Sequence, residues 1–379
     1  MADQVVFPDR FSFVENPDET IEALARLAAV SRPAGAQVHL DQSPCTLLDY
    51  GAEAVAGVIA RAARDGHGAR FRGTFPRGDE EREMAVAAGL PKLMGAEVPD
   101  LPFIRPFPLH QGRKGASKAT VSDERERVAD AFAQHLDACL LDFGIALSEV
   151  GMVRVLNLVS EVIGNSEDHG HRPDWWLGGY LRRMDDEHGD LHIVLFNFGE
   201  TVAKSMQRLP EGSMLRKQIE HLVGQHVRNG YFGTDFGQDE LWTLYALQAG
   251  ASRFQTSPNE MDETRGQGLA KMVMMFQELG ATPRPGAEPR MALVSGQTYI
   301  RFNPRRYPMK EQDTESGDFR RIIAFNDDNK LEQPPNPQNV RRLRAFFPGT
   351  VISLTLYLDR DHLRTLPPPA SEDGHDQSY

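Results

Sequence analysis

Apolar residues recur at helical spacing through residues 19–30 (ETIEALARLAAV), and Arg32-Pro33-Ala34-Gly35 closes that run. The period then alternates. Residues 38–41 read as a short strand, 52–63 as a helix of small residues, 69–74 as a second strand and 80–88 as a helix, an alternating α/β pattern. Beyond a proline-containing stretch, residues 122–147 and 152–169 carry long amphipathic helical patterns. A strand at 192–197 follows, then helices near 201–208, 213–227 and 239–247, and a helix at 269–279. Two apolar runs, 291–295 and 298–302, flank Gly296-Gln297, which predicts a primed hairpin turn, and 350–358 is the closing strand.

These patterns predict an α+β protein of two domains, as 379 residues exceed the usual single core. Residues 1–30 form a helical lead-in and 31–105 a small α/β domain. Residues 106–121, with Pro106, Pro108 and several basic residues, form a connector, and 122–360 form the larger domain with a helical insertion at 200–250. Residues 361–379 are a proline-then-acidic tail too polar to build a core. Hydrophobic residues at 40% and charged residues at 25% allow real cores, while the net charge of -12 argues against wholesale binding of a nucleic-acid backbone. Cys45 and Cys139 are too few for a disulfide framework. With no leader-like start and no eighteen-residue apolar run, a cytoplasmic protein without a membrane span is expected.

Chemistry concentrates on the helix MVRVLNLVSEVIGNSEDHG. At one hundred degrees per residue, Met152, Val155, Leu156, Val159 and Ile163 share one stripe, and Glu161, Asn165 and Asp168 share the opposite one. A carboxylate one turn from a carboxamide suits hard-cation and proton chemistry, because an amide oxygen can ligate Mg²⁺ while the carboxylate handles a proton. The same stripe would serve as the solvated face of an amphipathic helix. Glu167, Asp168, His169 and His171 are close in sequence, but neighbours on a helix point to different faces, so no zinc site is expected. Trp175, Trp176, Leu177 and Tyr180 read as core, and Arg341, Arg342 and Arg344 as a solvated basic run.

Glu161-Val-Ile-Gly-Asn165-Ser-Glu-Asp168-His169-Gly170 resembles the N-box of the GHKL ATPases (gyrase, heat-shock chaperone, histidine kinase, mismatch repair). Three further segments resemble that family in the same order. His192-Ile-Val-Leu-Phe-Asn197-Phe198-Gly199 is similar to the strand ending in Asp-x-Gly, with Asn197 in place of Asp. Thr264-Arg265-Gly266-Gln267-Gly268-Leu269 is similar to the glycine-rich lid hinge that opens into a helix. Pro348-Gly349-Thr350 is similar to the Gly-Thr of the closing strand.

The resemblance implies a Bergerat-type sandwich, with a mixed, largely antiparallel sheet covered on one face by helices. Its ligands would be ATP and Mg²⁺, with Mg²⁺ on Asn165 and Glu161 as general base. Asp168, His169, Asn197, Gly199, Arg265, Gly266, Gln267, Gly268, Leu269 and Thr350 would line the nucleotide.

The segment from Val38 to Gly51 is similar to STAS-type domains that partner anti-sigma kinases, with Tyr50 where those domains carry a phosphorylated Ser. The resemblances imply a nucleotide-driven switch in bacterial signalling or defence, acting on a protein partner. Three activities are open: ATP hydrolysis, Ser/Thr kinase action of the anti-sigma type, and nucleotide-gated binding without turnover. A homodimer is compatible with each.

Overall fold

The computed structural model describes residues 3–99, 101–113, 118–169, 174–248, 268–279, 288–313 and 319–365. Its first part runs β1 (Asp3–Val6), β2 (Arg10–Phe11), α1 (Pro17–Val30), β3 (Gln37–Asp41), β4 (Leu47–Leu48), α2 (Tyr50–His67), β5 (Arg70–Thr74), α3 (Asp79–Ala87) and α4 (Leu90–Leu93). β1, β3 and β5 pair in parallel, with α1 and α2 as the crossovers. Local chemistry explains both helices. Pro17 opens α1 with Asp18 and Glu19 in its first turn, which suits the helix dipole. Asp49 caps α2 by accepting a bond from Gly51 N, and Gly68, at φ 65°, ends it in the left-handed region.

The second part runs β6 (Ile104–Arg113), α5 (Lys118–Leu141), α6 (Glu149–His169), β7 (Asp174–Arg183), β8 (His188–Phe198), α7 (Val202–Gln207), α8 (Met214–Arg228), α9 (Gln238–Tyr245) and α10 (Gly268–Leu279). It continues with β9 (Arg290–Phe302), β10 (Lys310–Asp313), β11 (Phe319–Ile322), β12 (Val340–Asp359) and α11 (Arg360–Thr365). Five strands form an antiparallel sheet in the order β6-β7-β8-β12-β9. The molecule is therefore mixed α+β.

The sheet is buried on both faces. Along β8, Leu191 and Leu195 join Val155, Leu158, Val162 and Ile163 of α6 in one core, while Val194 and Phe196 join Val55 and Ala56 of α2 in the other. The alternation is the two-residue period of a strand. Polar contacts lock the second face. Asp18 of α1 accepts from Arg341 Nη1 at 3.0 Å and from Arg344 N at 2.7 Å, and Tyr299 Oη donates to Val14 O at 2.5 Å. The basic run thus has intramolecular partners, since Arg342 also pairs with the buried Glu240 at 3.0 Å.

Two elements differ from the pattern expected of the sequence. The stretch expected to be a connector contains β6, whose Pro106 and Pro108 are tolerated because β6 is an edge strand, and its register with β7 breaks between Phe107 and His110. The expected hairpin at Gly296-Gln297 is instead one continuous strand, β9, since residues on both sides of Gly296 pair with β12. Gly296 adopts φ 64° and takes up a register shift, so the turn chemistry makes a kink and not a reversal.

Candidate functional site

Two of the motif strands meet. Thr350 of β12 is the direct register partner of Asn197 of β8, although 153 residues separate them. Thr350 N donates to Asn197 Oδ1 at 3.1 Å, which fixes the carboxamide with its oxygen towards β12. Gly349 makes this approach feasible, because a Cβ there would collide with the carbonyl oxygen of Asn197.

On its other side Thr350 pairs with Ser295 of β9, and the two hydroxyls lie 2.8 Å apart. Ser295 Oγ also accepts from Val202 N at 2.8 Å, satisfying one of the open N–H groups at the start of α7. Asn197, Thr350 and Ser295 therefore form a polar row across three strands. Its parity with Leu195, Ile352 and Leu293 places it on the face that α6 and α10 cover. Asn197 and Ser295 are 2% exposed, whereas Thr350 is half-buried and reaches the rim. Such a row carries hydroxyl and carboxamide groups, uncharged donors and acceptors of the kind that can meet the polar edge of a ring.

The helix expected to carry a carboxylate and an amide is present as α6, unbroken from Glu149 to His169. Glu161 and Asn165 are one turn apart on it, and Val162 and Ile163 between them are buried. The burial centres on Val155, Leu158, Val162 and Ile163, a stripe shifted by part of a turn from the expected one. α6 packs against α5 and α10 and lies over β7 and β8. The side chains of Glu161, Asn165, Asp168 and His169 are outside the described residues, as are Arg265, Gly266 and Gln267. Gly268 is the first residue of α10, and Leu269 beside it is half-buried. Gly199 follows β8 at φ 152° and donates its N–H to Pro348 O at 3.0 Å, so the two glycine-containing motif ends are hydrogen-bonded to each other.

Ser295 escaped the motif reading because no motif contains it. One signal marks it: the helix-facing positions Met291 and Leu293 are apolar, and Ser295 interrupts that alternation just before a glycine. Tyr50, at the place of a phosphorylated Ser, is 3% exposed and meets Tyr180 edge-on with ring centroids 5.4 Å apart. Comparison with protein-family models, characterised proteins and solved structures returns no match.

Proposed function

We propose that the chain is a Mg²⁺-dependent ATP-binding and ATP-hydrolysing protein of the GHKL kind, with the nucleotide between the five-stranded sheet and α6. The observation that carries this is the juxtaposition of Asn197 and Thr350 on the helix-covered face, held by the 3.1 Å bond and by Gly349. The donor set fits an adenine. A carboxamide oxygen is the kind of acceptor that an exocyclic amino group needs, and the half-buried Thr350 is bonded to Asn197 through its backbone N–H.

The residues also fit a magnesium nucleotide in kind: a carboxamide, Asn165, one turn from a carboxylate, Glu161, on a helix lying over the strand that bears Asn197. Asn165 would hold Mg²⁺, which supplies charge neutralisation on the phosphates when bound. Glu161 would accept the proton of the attacking water. The start of α10, at Gly268, would present backbone N–H groups and the positive end of a twelve-residue helix to the phosphates. Arg265, Gly266 and Gln267 would serve as the lid hinge, Leu269 packs against the core, and Asp168 and His169 would line the same cleft from the end of α6.

The first 105 residues, read as STAS-like, would be the regulatory part of a cytoplasmic switch whose protein partner responds to nucleotide state. The burial of Tyr50 weighs against phosphorylation at that turn in the folded molecule. γ-Labelled ATP tests the activity: free phosphate is expected from the wild type. Glu161→Ala is expected to lose hydrolysis but keep ATP, and Asn165→Ala to lose Mg-ATP binding. Turnover by Glu161→Ala equal to the wild type would remove Glu161 from the mechanism.

A further inference from the structure

We infer that Ser295 is the residue that makes the site choose adenine over guanine, by fixing the direction in which the Thr350 hydroxyl points its proton. The inference rests on the nucleotide reading above. Ser295 is 2% exposed, and its hydroxyl has two polar neighbours among the described residues, Val202 N and Thr350 Oγ1, each at 2.8 Å. The first contact is donated by Val202, so the serine oxygen acts there as acceptor. A hydroxyl has one proton, and a buried one is satisfied by a partner. Among the described residues, the one partner left for it is Thr350 Oγ1.

Thr350 then accepts from Ser295, and its own proton is turned away from the sheet interior towards the rim. The result is a directed chain: Val202 N–H to Ser295 O–H to Thr350 O–H to ligand. Each bond polarises the next. Adenine offers an unprotonated N1 beside its amino group, which matches an outward O–H next to the Asn197 oxygen. Guanine offers a protonated N1 and a carbonyl, so both contacts become mismatched. A hydrogen-bonding site rejects a ring whose polar pattern is inverted because buried groups lose their partners. Ser295 is a positioning residue: it acts on the ligand through Thr350.

The test uses calorimetry on the full chain with Mg²⁺ and non-hydrolysable analogues of ATP and GTP. Variants are Ser295→Ala, Thr350→Val and the double substitution. The wild type is expected to prefer the ATP analogue. Ser295→Ala is expected to lower that affinity by about five-fold or more and to shrink the ATP-to-GTP ratio. In the Thr350→Val background the same substitution is expected to change affinity by less than about two-fold, since its route to the ligand is already gone.

Should Ser295→Ala fail to fold, Ser295→Thr and Ser295→Val give the same comparison, being matched in shape and differing in the hydroxyl. A wild type that prefers ATP with an unchanged ratio in Ser295→Ala overturns the inference and leaves the nucleotide reading intact. Equal, additive losses in both backgrounds also overturn it, as they would mark Ser295 as merely structural. A wild type that takes neither nucleotide overturns both.

Discussion

Asn197 stands where the proposed reading expects an Asp, and its surroundings suit a neutral amide. Its oxygen takes the Thr350 N–H at 3.1 Å in a position 2% exposed, so a neutral group there avoids burying a charge. Asn197→Leu would leave that N–H without its partner and is expected to cost about 1–3 kcal/mol of stability in urea titration, together with nucleotide affinity. Asn197→Asp keeps an acceptor towards Thr350 and is expected to retain ATP binding. Gly349 is constrained more severely. A methyl group there meets the Asn197 carbonyl, a backbone atom that cannot rotate aside, so Gly349→Ala is expected to lower the melting temperature by several degrees. A wild-type Tm for Gly349→Ala would show that β8 and β12 approach less closely than described.

Among the elements, α6 was the most legible, since twenty-one residues of helical period leave little ambiguity. Strands were harder to read. β7 was not anticipated because Trp175, Trp176, Leu177 and Tyr180 are buried on both faces of the sheet, which erases the polar alternation that marks a strand. β6 was hidden by prolines that only an edge position permits, and β9 was divided in two by a glycine that makes a kink. Asn197 and Thr350 were each picked out from local order, but their register pairing across 153 residues was not readable there. Ser295 was not picked out, because its importance comes from a neighbour 55 residues away.

The packing of α2 on α4 gives an element-scale prediction. Glu53 of α2 accepts from Leu90 N at 2.6 Å and from Gln42 Nε2 at 2.5 Å, joining the first residue of α4 to the end of β3. Burial lifts its carboxyl to about 7 from an ordinary 4.5, against the pull of those two donated bonds. A folded-state value raised in this way gives stability that is complete below pH 4.5 and lost as pH climbs through 7. The half-buried His192 and the buried His226 act in the opposite sense: desolvation pushes His192 down to about 3 and lowers His226, so their contribution is lost as pH falls below 6.5. Comparing the wild type with Glu53→Gln cancels the histidine effect. The wild type is expected to lose on the order of 3 kcal/mol more than Glu53→Gln between pH 5 and pH 8. Parallel pH profiles would place Glu53 in a wetter environment.

Across the whole molecule, the sheet has two buried faces, one under α6 and α10 where the nucleotide is proposed to bind and one under α1 and α2, and β12 contributes to both. Thr350 points to one and Ser353, three residues on, to the other, where its hydroxyl donates to the buried Asp49 at 2.5 Å. Asp49 also receives Gly51 N, Phe13 N and Ser12 Oγ, so one carboxylate joins the cap of α2 to the closing strand. Ser353→Ala is expected to cost about 1–2 kcal/mol by leaving that carboxylate short of a donor, with a lower urea midpoint as the readout. The measurement that bears most directly on the account is titration calorimetry of the folded wild type with an ATP analogue, with and without Mg²⁺. Saturable binding that needs magnesium and disappears in Asn165→Ala is the predicted result. The absence of magnesium-dependent heat in protein whose circular dichroism shows the α+β fold would contradict the nucleotide site.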